Sequence, residues 1–312
     1  MTENKHTHYP KAGYFALSIT SLLWGTTWVV SKFAVSSIPG LQLAYIRQLI
    51  AGACFVFYFM AIKKHALPAK RDFITMFVLS ILMMVMANGL STWGIRYLPT
   101  GLASLIGAMY PLSVVFIEWF FYGKRNVSVL TFIGLLLGLS GIAFVFYNEM
   151  FAQISPSLIF GLVLSIVAML SWSLGTVFLS RHQIKTNPYH AMGWQMLIGA
   201  VVLFVLSEWT HQSIPFKLIT TNTWISIGYL ALFGSIITFI AFIYSLKVLP
   251  TPIASLYAYV NPVVAIILAS VWLNEKLTVS LLIGSMITLL GVYLVNHSIR
   301  RDQLKLMMES EL

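Results

Sequence analysis

Charged residues are scarce in this chain, at 9% of 312 positions, while hydrophobic residues make up 59% and the mean hydropathy is +0.86. Soluble domains carry roughly a quarter charged residues. A soluble fold of this length would therefore lack the polar side chains that its surface needs. In lipid, a helix satisfies its own backbone hydrogen bonds, and the apolar runs here have helix length. The sequence predicts an all-α integral membrane protein.

Other absences narrow the class of protein. The single Cys54 lies in an apolar segment, so no intramolecular disulfide forms. The net charge of +10 comes from basic residues placed singly or in pairs, which indicates membrane topology and not a nucleic-acid partner. No glycine-rich phosphate loop ending in Gly-Lys-Ser/Thr occurs, so ATP is not the direct driver. The seven histidines lack metal-ligand spacing, and no catalytic set can be assembled. We expect no metal, no cofactor and no enzymatic activity.

Ten apolar stretches are long enough to cross a bilayer, which takes about 20 residues each. Five lie in the first half of the chain, at 14–36, 41–62, 73–95, 100–121 and 129–147. Five lie in the second half, at 158–180, 190–210, 223–246, 252–272 and 278–297. The polar N-terminus leads into the first stretch without a convincing cleavage site, so we expect no removed signal peptide.

A repeated motif relates the two halves. Leu-Pro-Thr at 98–100, followed by Ala-Ser-Leu at 103–105 and by Pro111, recurs with all seven residues displaced by 151 positions, ending at Pro262. Such spacing through two apolar segments is hard to obtain by chance and indicates an internal duplication. The alternative to a functional role is an old duplication preserved only because it packs.

The distribution of basic residues predicts the topology. Fourteen Lys and Arg residues fall on the side of both tails, and three fall on the other side: Arg96, Lys217 and Lys276. This bias places both termini in the cytoplasm. Because each repeat has five helices, the second enters the membrane inverted relative to the first. The predicted organisation is a cytoplasmic tail (1–13), two inverted five-helix repeats (14–147 and 158–297) and a second cytoplasmic tail (298–312).

The two repeat-related prolines lie in the middle of predicted helices four and nine. A proline there frees the carbonyl four residues earlier, on Gly107 and on Ala258. Paired broken helices at one depth indicate a central cavity, although a plain packing kink explains them equally. The small-residue faces of the two helices fit either a ligand or close helix contact, and they contribute these cavity candidates: Ser104, Gly107, Pro111, Ser255, Tyr259 and Pro262.

Aromatic, polar and charged residues supply the remaining candidates. Helices one and six place an aromatic and polar stripe on corresponding faces, which forms either an aromatic box or a lipid-facing anchor: Trp24, Trp28, Trp172 and Thr176. Charges are costly in lipid, and the alternative for each of the three here is to reach an interface: Lys32, Arg47 and Glu118. Helices three and eight add groups that donate to a ligand or bond across helices: Asn88, Thr92 and Thr238.

The chain resembles an EamA-type member of the drug/metabolite transporter superfamily over almost its whole length. The resemblance rests on Leu23-Trp24-Gly25 with Lys32, on Arg47, on the repeated Leu-Pro-Thr with its proline, and on Asn274-Glu275-Lys276-Leu277. It implies a ten-helix, inverted-repeat carrier of the cytoplasmic membrane that moves small organic solutes, often amino acids and related metabolites, outward. The carboxylate that the small multidrug branch has in helix one is absent here, and Gly123-Lys124-Arg125 replaces Asn274-Glu275-Lys276 in the first repeat.

We therefore expect a secondary transporter of the cytoplasmic membrane that exports small organic metabolites by alternating access. Its expected partners are a small-molecule substrate, the lipid bilayer and a coupling proton or sodium ion, with no nucleic acid. It would act as a monomer or homodimer. The alternative from another class is a membrane-embedded enzyme or lipid-handling protein that uses the central cavity. A channel or sensor is disfavoured because no ring-forming polar stripe is found.

Overall fold

The computed structural model describes residues 10–122, 128–150, 155–182, 184–249, 251–254 and 256–310. Within these residues the structure is helical and contains no strand. We label helices in chain order and join pieces that are at most two positions apart. Their bounds are as follows: α1, Lys11–Ala34; α2, Gly40–Ile62; α3, Lys70–Gly94; α4, Thr100–Ala108 with Tyr110–Tyr122; α5, Val129–Met150; α6, Pro156–Arg181; α7, Pro188–Trp209; α8, Thr221–Val248; α9, Thr251–Ala254 with Tyr257–Trp272; α10, Val279–Ser310.

Prolines and short polar side chains begin many of these helices. Helices α6 and α7 have a proline in their first turn, where its missing N–H costs nothing. Ser155 accepts a hydrogen bond from the Leu158 amide, and Asn187 accepts from the Tyr189 amide. These side chains satisfy amides that the helix itself leaves unpaired. The turn residues of the sequence thus fix where each helix starts.

Seven of the described helices are long and apolar enough to cross a membrane: α2, α3, α4, α6, α7, α8 and α10. Helices α5 and α9 contain shorter apolar helices, Val129–Val145 and Tyr257–Trp272. Helix α1 is less apolar because it carries several Ser and Thr residues and Lys32. The all-helical membrane class is confirmed, and the count of ten crossings stays a prediction.

Helices at corresponding positions of the two halves pack against each other and run antiparallel. Helix α5 packs along α10, and α2 packs along α7. A Cβ placed on Gly134 would lie 2.7 Å from the Gly291 carbonyl oxygen, and one on Gly284 would lie 2.7 Å from the Gly141 oxygen. Residue numbers on α10 fall as those on α5 rise along this contact, so the two helices run in opposite directions. Gly141 and Gly291 correspond in the repeat, so the two contacts are exchanged copies of each other.

The remaining helices form two groups of three, which we call group A (α1, α8 and α9) and group B (α6, α3 and α4). Within group A, α1 packs against α8 and α9, and within group B, α6 packs against α3 and α4. A Cβ on Gly13 of α1 would lie 2.9 Å from Leu249 Cγ, and one on Gly161 of α6 would lie 3.2 Å from Leu98 Cγ. In the repeat, Gly13 corresponds to Gly161 and Leu98 corresponds to Leu249. The two groups therefore share one packing arrangement.

Polar side chains connect helices to neighbouring connections at each end of the bundle. At the end where α1 stops and α2 begins, which we call the α1–α2 end, the Gln42 side chain exchanges two 2.8 Å hydrogen bonds with the Ile214 backbone. At the opposite end, called the α2–α3 end, Asp72 accepts 2.9 Å and 2.7 Å bonds from the Thr186 amide and hydroxyl. These contacts tie α2 and α3 to the connections beside α7.

The interruption of α4 lies where its proline predicts a break, and that of α9 does not. Helix α4 is interrupted at Met109, between Pro111 and Gly107, whose carbonyl the proline frees. Helix α9 is interrupted at Leu256, well before Pro262, which lies inside the helix that follows. Helices α3 and α8 instead contain π-helical segments at corresponding positions, Ser80–Gly89 and Leu232–Ile237. Wide turns of this kind often accompany functional sites. Helix α10 continues to Ser310, beyond the predicted end at 297.

Candidate functional site

A central cavity lies between groups A and B. Its empty volume, which includes the open solvent at its mouth, is about 1030 Å³. Six helices of the two groups and α2 contribute the lining: Trp24, Thr27, Trp28, Ser31, Arg47, Ala87, Asn88, Ser91, Thr92, Ile95, Ala103, Gly107, Ala108, Tyr110, Ser165, Ala168, Met169, Trp172, Phe239, Tyr257, Ala258 and Asn261.

The cavity occupies the middle of the bundle and the half toward the α1–α2 end. Helices α1 and α3 end there, and they contribute residues from their middle and last turns, such as Ser31 and Ile95. Helices α4 and α6 begin there and contribute residues from their first half, such as Ala103 and Ser165. The site is therefore off centre along the bundle axis.

An aromatic layer closes the cavity toward the α2–α3 end. Trp24 of group A meets Trp172 of group B edge to face, with ring centroids 6.3 Å apart. Tyr110 of group B stacks on Tyr257 of group A, with centroids 6.0 Å apart and an interplanar angle of 15°. We call these four rings the aromatic floor. Both contacts join the two groups, so the floor can open only if the groups separate.

Apolar packing fills the bundle beyond the aromatic floor. Leu17, Leu249 and Ala254 are buried there in one cluster with Tyr257. Gly13 allows α1 to approach Leu249 closely, because any side chain at Gly13 would collide with it. Group A is thus closely packed on the α2–α3 side of the aromatic floor, while the cavity lies on the α1–α2 side.

The two groups contribute chemically different walls. On α3, Asn88, Ser91 and Thr92 line the cavity. The α8 residues 151 positions after Asn88 and Ser91 are Phe239 and Phe242, and both contact the Trp24 ring, at 5.4 Å and 5.0 Å between centroids. The repeat therefore supplies a polar wall from one copy and an aromatic wall from the other. Such a cavity suits an amphipathic solute.

Arg47 is a buried cation in the cavity lining. Its side chain is only 5% exposed, and among the described residues its Nε has no hydrogen-bond partner. Two other lining atoms, Ser165 Oγ and Asn261 Oδ1, are buried without a partner in the same part of the chain. Buried polar groups in native proteins are almost always satisfied. Three buried polar atoms without a protein partner thus belong to residues that line this cavity.

Seven of the predicted candidates meet in this cavity: Trp24, Trp28, Arg47, Asn88, Thr92, Gly107 and Trp172. Of the other described candidates, none is among the lining residues. Ser255 lies outside the described residues. The two prolines are buried beside the cavity, and Glu118 is half-buried in α4 on the far side of the aromatic floor. Neither proline is a lining residue, but the residue before each one, Tyr110 and Asn261, is, so the cavity reaches the level of the prolines.

Three predicted hydroxyls bond within their own helices. Ser104 donates to the Gly101 carbonyl, Thr176 to Trp172 and Thr238 to Phe233. Tyr259 faces away from the cavity, since its hydroxyl donates to the Val292 carbonyl on α10 at 3.1 Å and accepts a bond from Asn296. These residues hold helices in place, and they offer no free group to a ligand.

Lys32 stabilises the end of α3 and does not line the cavity. Its ammonium donates to the carbonyls of Ile95, Arg96 and Leu98 at 2.9, 3.2 and 2.7 Å. These carbonyls lie at and just beyond the C-terminus of α3, where a helix leaves oxygens unpaired and attracts positive charge. Lys32 thus joins α1 to the connection between α3 and α4.

The sequence analysis missed several lining residues, and one signal would have found two of them. Tyr110 and Asn261 each directly precede a repeat-related proline, and they lie 151 positions apart. Tyr257 was missed because α9 is interrupted before it, which changes the face that follows. Ser165 lies on the same helix-six stripe as Trp172, although it is not among the named candidates, and Phe239 carries no distinguishing pattern of its own.

We compared the chain with known protein families. The model of the EamA-like transporter family matches it twice, at residues 11–147 and 159–297. The chain belongs to the EamA-like transporter family. It is 30% identical over 280 residues to an uncharacterized transporter, YvbV of Bacillus subtilis, with 90% of each chain covered. It is also 30% identical over 256 residues to an uncharacterized inner membrane transporter, YedA of Escherichia coli K12, covering 82% of this chain and 81% of that protein.

More distant similarities also cover most of the chain. A WAT1-related chloroplastic protein of Arabidopsis thaliana is 28% identical over 285 residues, which cover 88% of this chain and 66% of that protein. One solved crystal structure superimposes with a TM-score of 0.65 at 17% identity, covering 93% of this chain and 98% of the other. The structural likeness shows a shared fold. Together with the helices that can span a membrane, these relatives confirm a multi-pass membrane transporter of the EamA family.

We expect Glu275→Ala to destabilise the protein. The Glu275 carboxylate accepts bonds from the Thr100 amide at 2.8 and 3.1 Å and from the Thr100 hydroxyl at 2.6 Å, which caps the start of α4. Losing such a cap costs about 0.5–2 kcal/mol, so the melting temperature of the purified protein should fall. Lys276→Ala, at an exposed neighbouring position, is the control and should leave it unchanged. Equal melting temperatures for all three proteins would contradict the capping role.

Proposed function

We propose that this protein is a secondary transporter that moves small organic metabolites, amino acids or related compounds, out of the cell by alternating access. The observation that carries the proposal is the cavity between two exchange-related helix groups, sealed at one end by rings that both groups supply. A carrier needs a site that two similar units can expose to either side in turn. The EamA membership supports the same reading.

The proposed organisation is two inverted five-helix repeats, 14–147 and 158–297, with both tails in the cytoplasm. The antiparallel pairing of α5 with α10 and of α2 with α7 supports inversion. The two stretches that match the family model support the division of the chain. With this topology the cavity lies in the outer half of the membrane, as expected for a carrier that has opened toward the outside.

In the proposed cycle, groups A and B rock about the α2–α7 and α5–α10 pairs. Separation of Trp24 from Trp172 and of Tyr110 from Tyr257 opens the floor, while the α1–α2 end closes over the cavity. The packing inside each group is kept, because Gly13 and Gly161 hold their partners within one group. The rocking needs no new packing inside either group, because groups A and B have the same internal arrangement of helices.

The direct test is solute flux in proteoliposomes of purified protein, driven by a solute gradient or by a proton or sodium gradient. Accumulation of an amino acid or related compound above protein-free vesicles supports the proposal. No movement across a metabolite panel under any gradient would count against it. The coupling ion is part of the same test, and Glu118→Gln with unchanged pH dependence of flux would remove that carboxylate as the proton site.

Alternating access also predicts opposite changes in thiol labelling on the two sides of the floor. With Cys54→Ser as background, we expect Ser91→Cys in the cavity to react with a membrane-impermeant maleimide, and Leu17→Cys beyond the floor to be protected. A transported solute should lower the first rate and raise the second. Ser37→Cys, in the exposed α1–α2 connection, is the control whose rate should stay constant. Simultaneous reactivity of Ser91→Cys in the cavity and Leu17→Cys beyond the floor would indicate a channel.

The membrane-embedded enzyme gains no support from the cavity. The described lining residues include no Asp, Glu, His or Cys, and Glu118 lies outside the lining. A nucleophile and base in hydrogen-bond reach are what such an enzyme would require. Transport therefore remains the function that the site supports best.

A further inference from the structure

The cavity has two chemically distinct poles. At one pole, Arg47 presents a buried guanidinium whose Nε has no partner among the described residues. Asn88 and Thr92 line the same cavity, and Asn88 is held in position because its Oδ1 accepts a 3.0 Å bond from Gln48. An arginine offers five donors in a planar fork that matches a carboxylate. This pole is built to receive an anionic oxygen group.

Arg47 is unlike the other cation near the cavity. Lys32 spends its donors on three carbonyl groups of the α3 end, so it is already satisfied. Arg47 shows no salt bridge to a carboxylate among the described residues, although it is 95% removed from solvent. A buried cation without a partner is strongly unfavourable. Within the described residues no negative charge is paired with it, so a ligand can supply one.

At the other pole, the aromatic floor and Phe239 present flat apolar faces. Trp24 contacts Trp172, Phe239 and Tyr257 at centroid distances of 6.3, 5.4 and 5.0 Å. Asn261 and Ser165 add neutral polar side chains to the lining, and among the described residues Asn261 Oδ1 and Ser165 Oγ have no hydrogen-bond partner.

We propose that the cavity binds an amphipathic carboxylate of net charge −1, with its carboxylate on Arg47 and its flat apolar part against the aromatic floor. The inference rests on the proposed transport function and narrows its cargo from amino acids or related compounds to net-anionic carboxylates. Arg47 is the specificity-determining residue, and the rings supply affinity for the apolar part.

The absence of an acid from the described lining decides the net charge. A ligand ammonium would find only neutral acceptors in the cavity, and it would share a low-dielectric space with the Arg47 cation. Aromatic rings attract cations, which is the argument for a cationic cargo. That attraction is weaker than repulsion between two buried like charges at comparable distance. An anion instead gains from Arg47 and loses nothing to a nearby carboxylate.

Four phenyl compounds of similar size test the inference by calorimetric binding to the purified full chain. They are 3-phenylpropanoate (anion), phenylalanine (zwitterion), 3-phenylpropanamide (neutral) and 2-phenylethylamine (cation). We expect the anion to bind at least about tenfold more tightly than the other three, since bonds to a charged partner add that much affinity. Tighter or equal binding of the amine or of phenylalanine, or no detectable binding of 3-phenylpropanoate, would overturn the proposal.

Three variants assign the preference to Arg47. In Arg47→Gln, the affinity for 3-phenylpropanoate should fall to that for 3-phenylpropanamide, while the amide binds as before, which shows that the site is still folded. Arg47→Lys should keep part of the preference for the anion. Lys217→Gln, which removes an exposed cation outside the cavity, should change nothing. A preference that survives Arg47→Gln would disprove the assignment.

Flux measurements separate this inference from the proposed function. Charge-selective binding with no flux of any compound would leave the site standing and defeat transport. Flux of a zwitterion or cation at full rate in Arg47→Gln would leave transport standing and defeat the carboxylate site.

Discussion

Trp24→Ala should reduce solute flux at least about tenfold in protein that is still folded, because Trp24 is the residue on which the floor converges. Its ring contacts Trp172, Phe239, Phe242 and Tyr257 at centroid distances between 5.0 and 6.3 Å. Removing it leaves a gap between groups A and B and takes away the apolar face against which a solute lies. The check is initial flux in proteoliposomes at matched protein density.

The corresponding change in the other repeat, Trp172→Ala, should have a smaller effect. Phe239 and Phe242 surround Trp24, whereas the corresponding residues on the side of Trp172 are Asn88 and Ser91. Trp172 therefore has fewer ring partners to lose. Equal losses in the two variants would contradict the view that the aromatic wall of group A supplies most of the apolar contact.

Two controls separate transport from folding in this series. Trp24→Phe keeps an aromatic face and should retain much of the flux. Trp209→Ala removes a tryptophan that is 78% exposed at the end of α7, and it should leave flux and melting temperature unchanged. Truncating a fully buried Trp costs about 3–5 kcal/mol, and Trp24 is only partly buried, so a smaller loss of stability is expected. If Trp24→Ala does not fold, the flux of Trp24→Phe alone is used to judge the role of Trp24.

Apolar helix-length stretches and the duplication predict the all-helical class and part of the cavity, and the EamA resemblance rests on the sequence motifs. Trp24 and Trp172 were predicted as cavity residues because they occupy related positions inside helices, and both line the cavity. Arg47 was predicted on the cost of a charge in lipid, and it too lies in the lining. Whether these residues bind substrate stays a prediction.

Helix hydroxyls and long side chains could not be placed from the sequence. A Ser or Thr in a helix readily bonds a carbonyl one turn earlier, so Ser104, Thr176 and Thr238 satisfy themselves whichever face they occupy. Lys32 is long enough to leave its own face and reach the α3 end. Face patterns describe where a Cβ points, and they do not fix where a flexible side chain finds its partner.

Helix α9 shows why a single interruption matters. One continuous helix over 252–272 puts Ala258 and Tyr259 on the cavity face. The helix is interrupted at Leu256, and Ala258 lines the cavity together with Tyr257 and Asn261, whereas Tyr259 does not. A duplication also suggests similar walls, whereas α3 and α8 have diverged into a polar and an aromatic wall. These differences are in side chains, and the helix packing is common to both repeats.

Gly291→Ala should destabilise the protein by about 1–3 kcal/mol, as overpacking commonly does. A Cβ on Gly291 would lie 2.6 Å from the Gly134 carbonyl oxygen. Because the obstacle is backbone, no side chain can rotate away, and α10 must move off α5. The measurement is the melting temperature of purified protein, with size-exclusion chromatography to confirm that it stays monodisperse.

Gly141 is the counterpart of Gly291 in the first repeat, so Gly141→Ala should reduce the stability of the protein by a similar amount. A Cβ on Gly141 would lie 2.6 Å from the Thr288 amide nitrogen and 2.7 Å from the Gly284 oxygen, which are the exchanged counterparts of the contacts at Gly291. Gly228→Ala is the control, because a Cβ there meets nothing within 4 Å and alanine favours the helix. It should be neutral or slightly stabilising. If Gly141→Ala and Gly291→Ala both matched Gly228→Ala, the close antiparallel contact of α5 and α10 would be wrong, and with it the structural support for inverted repeats.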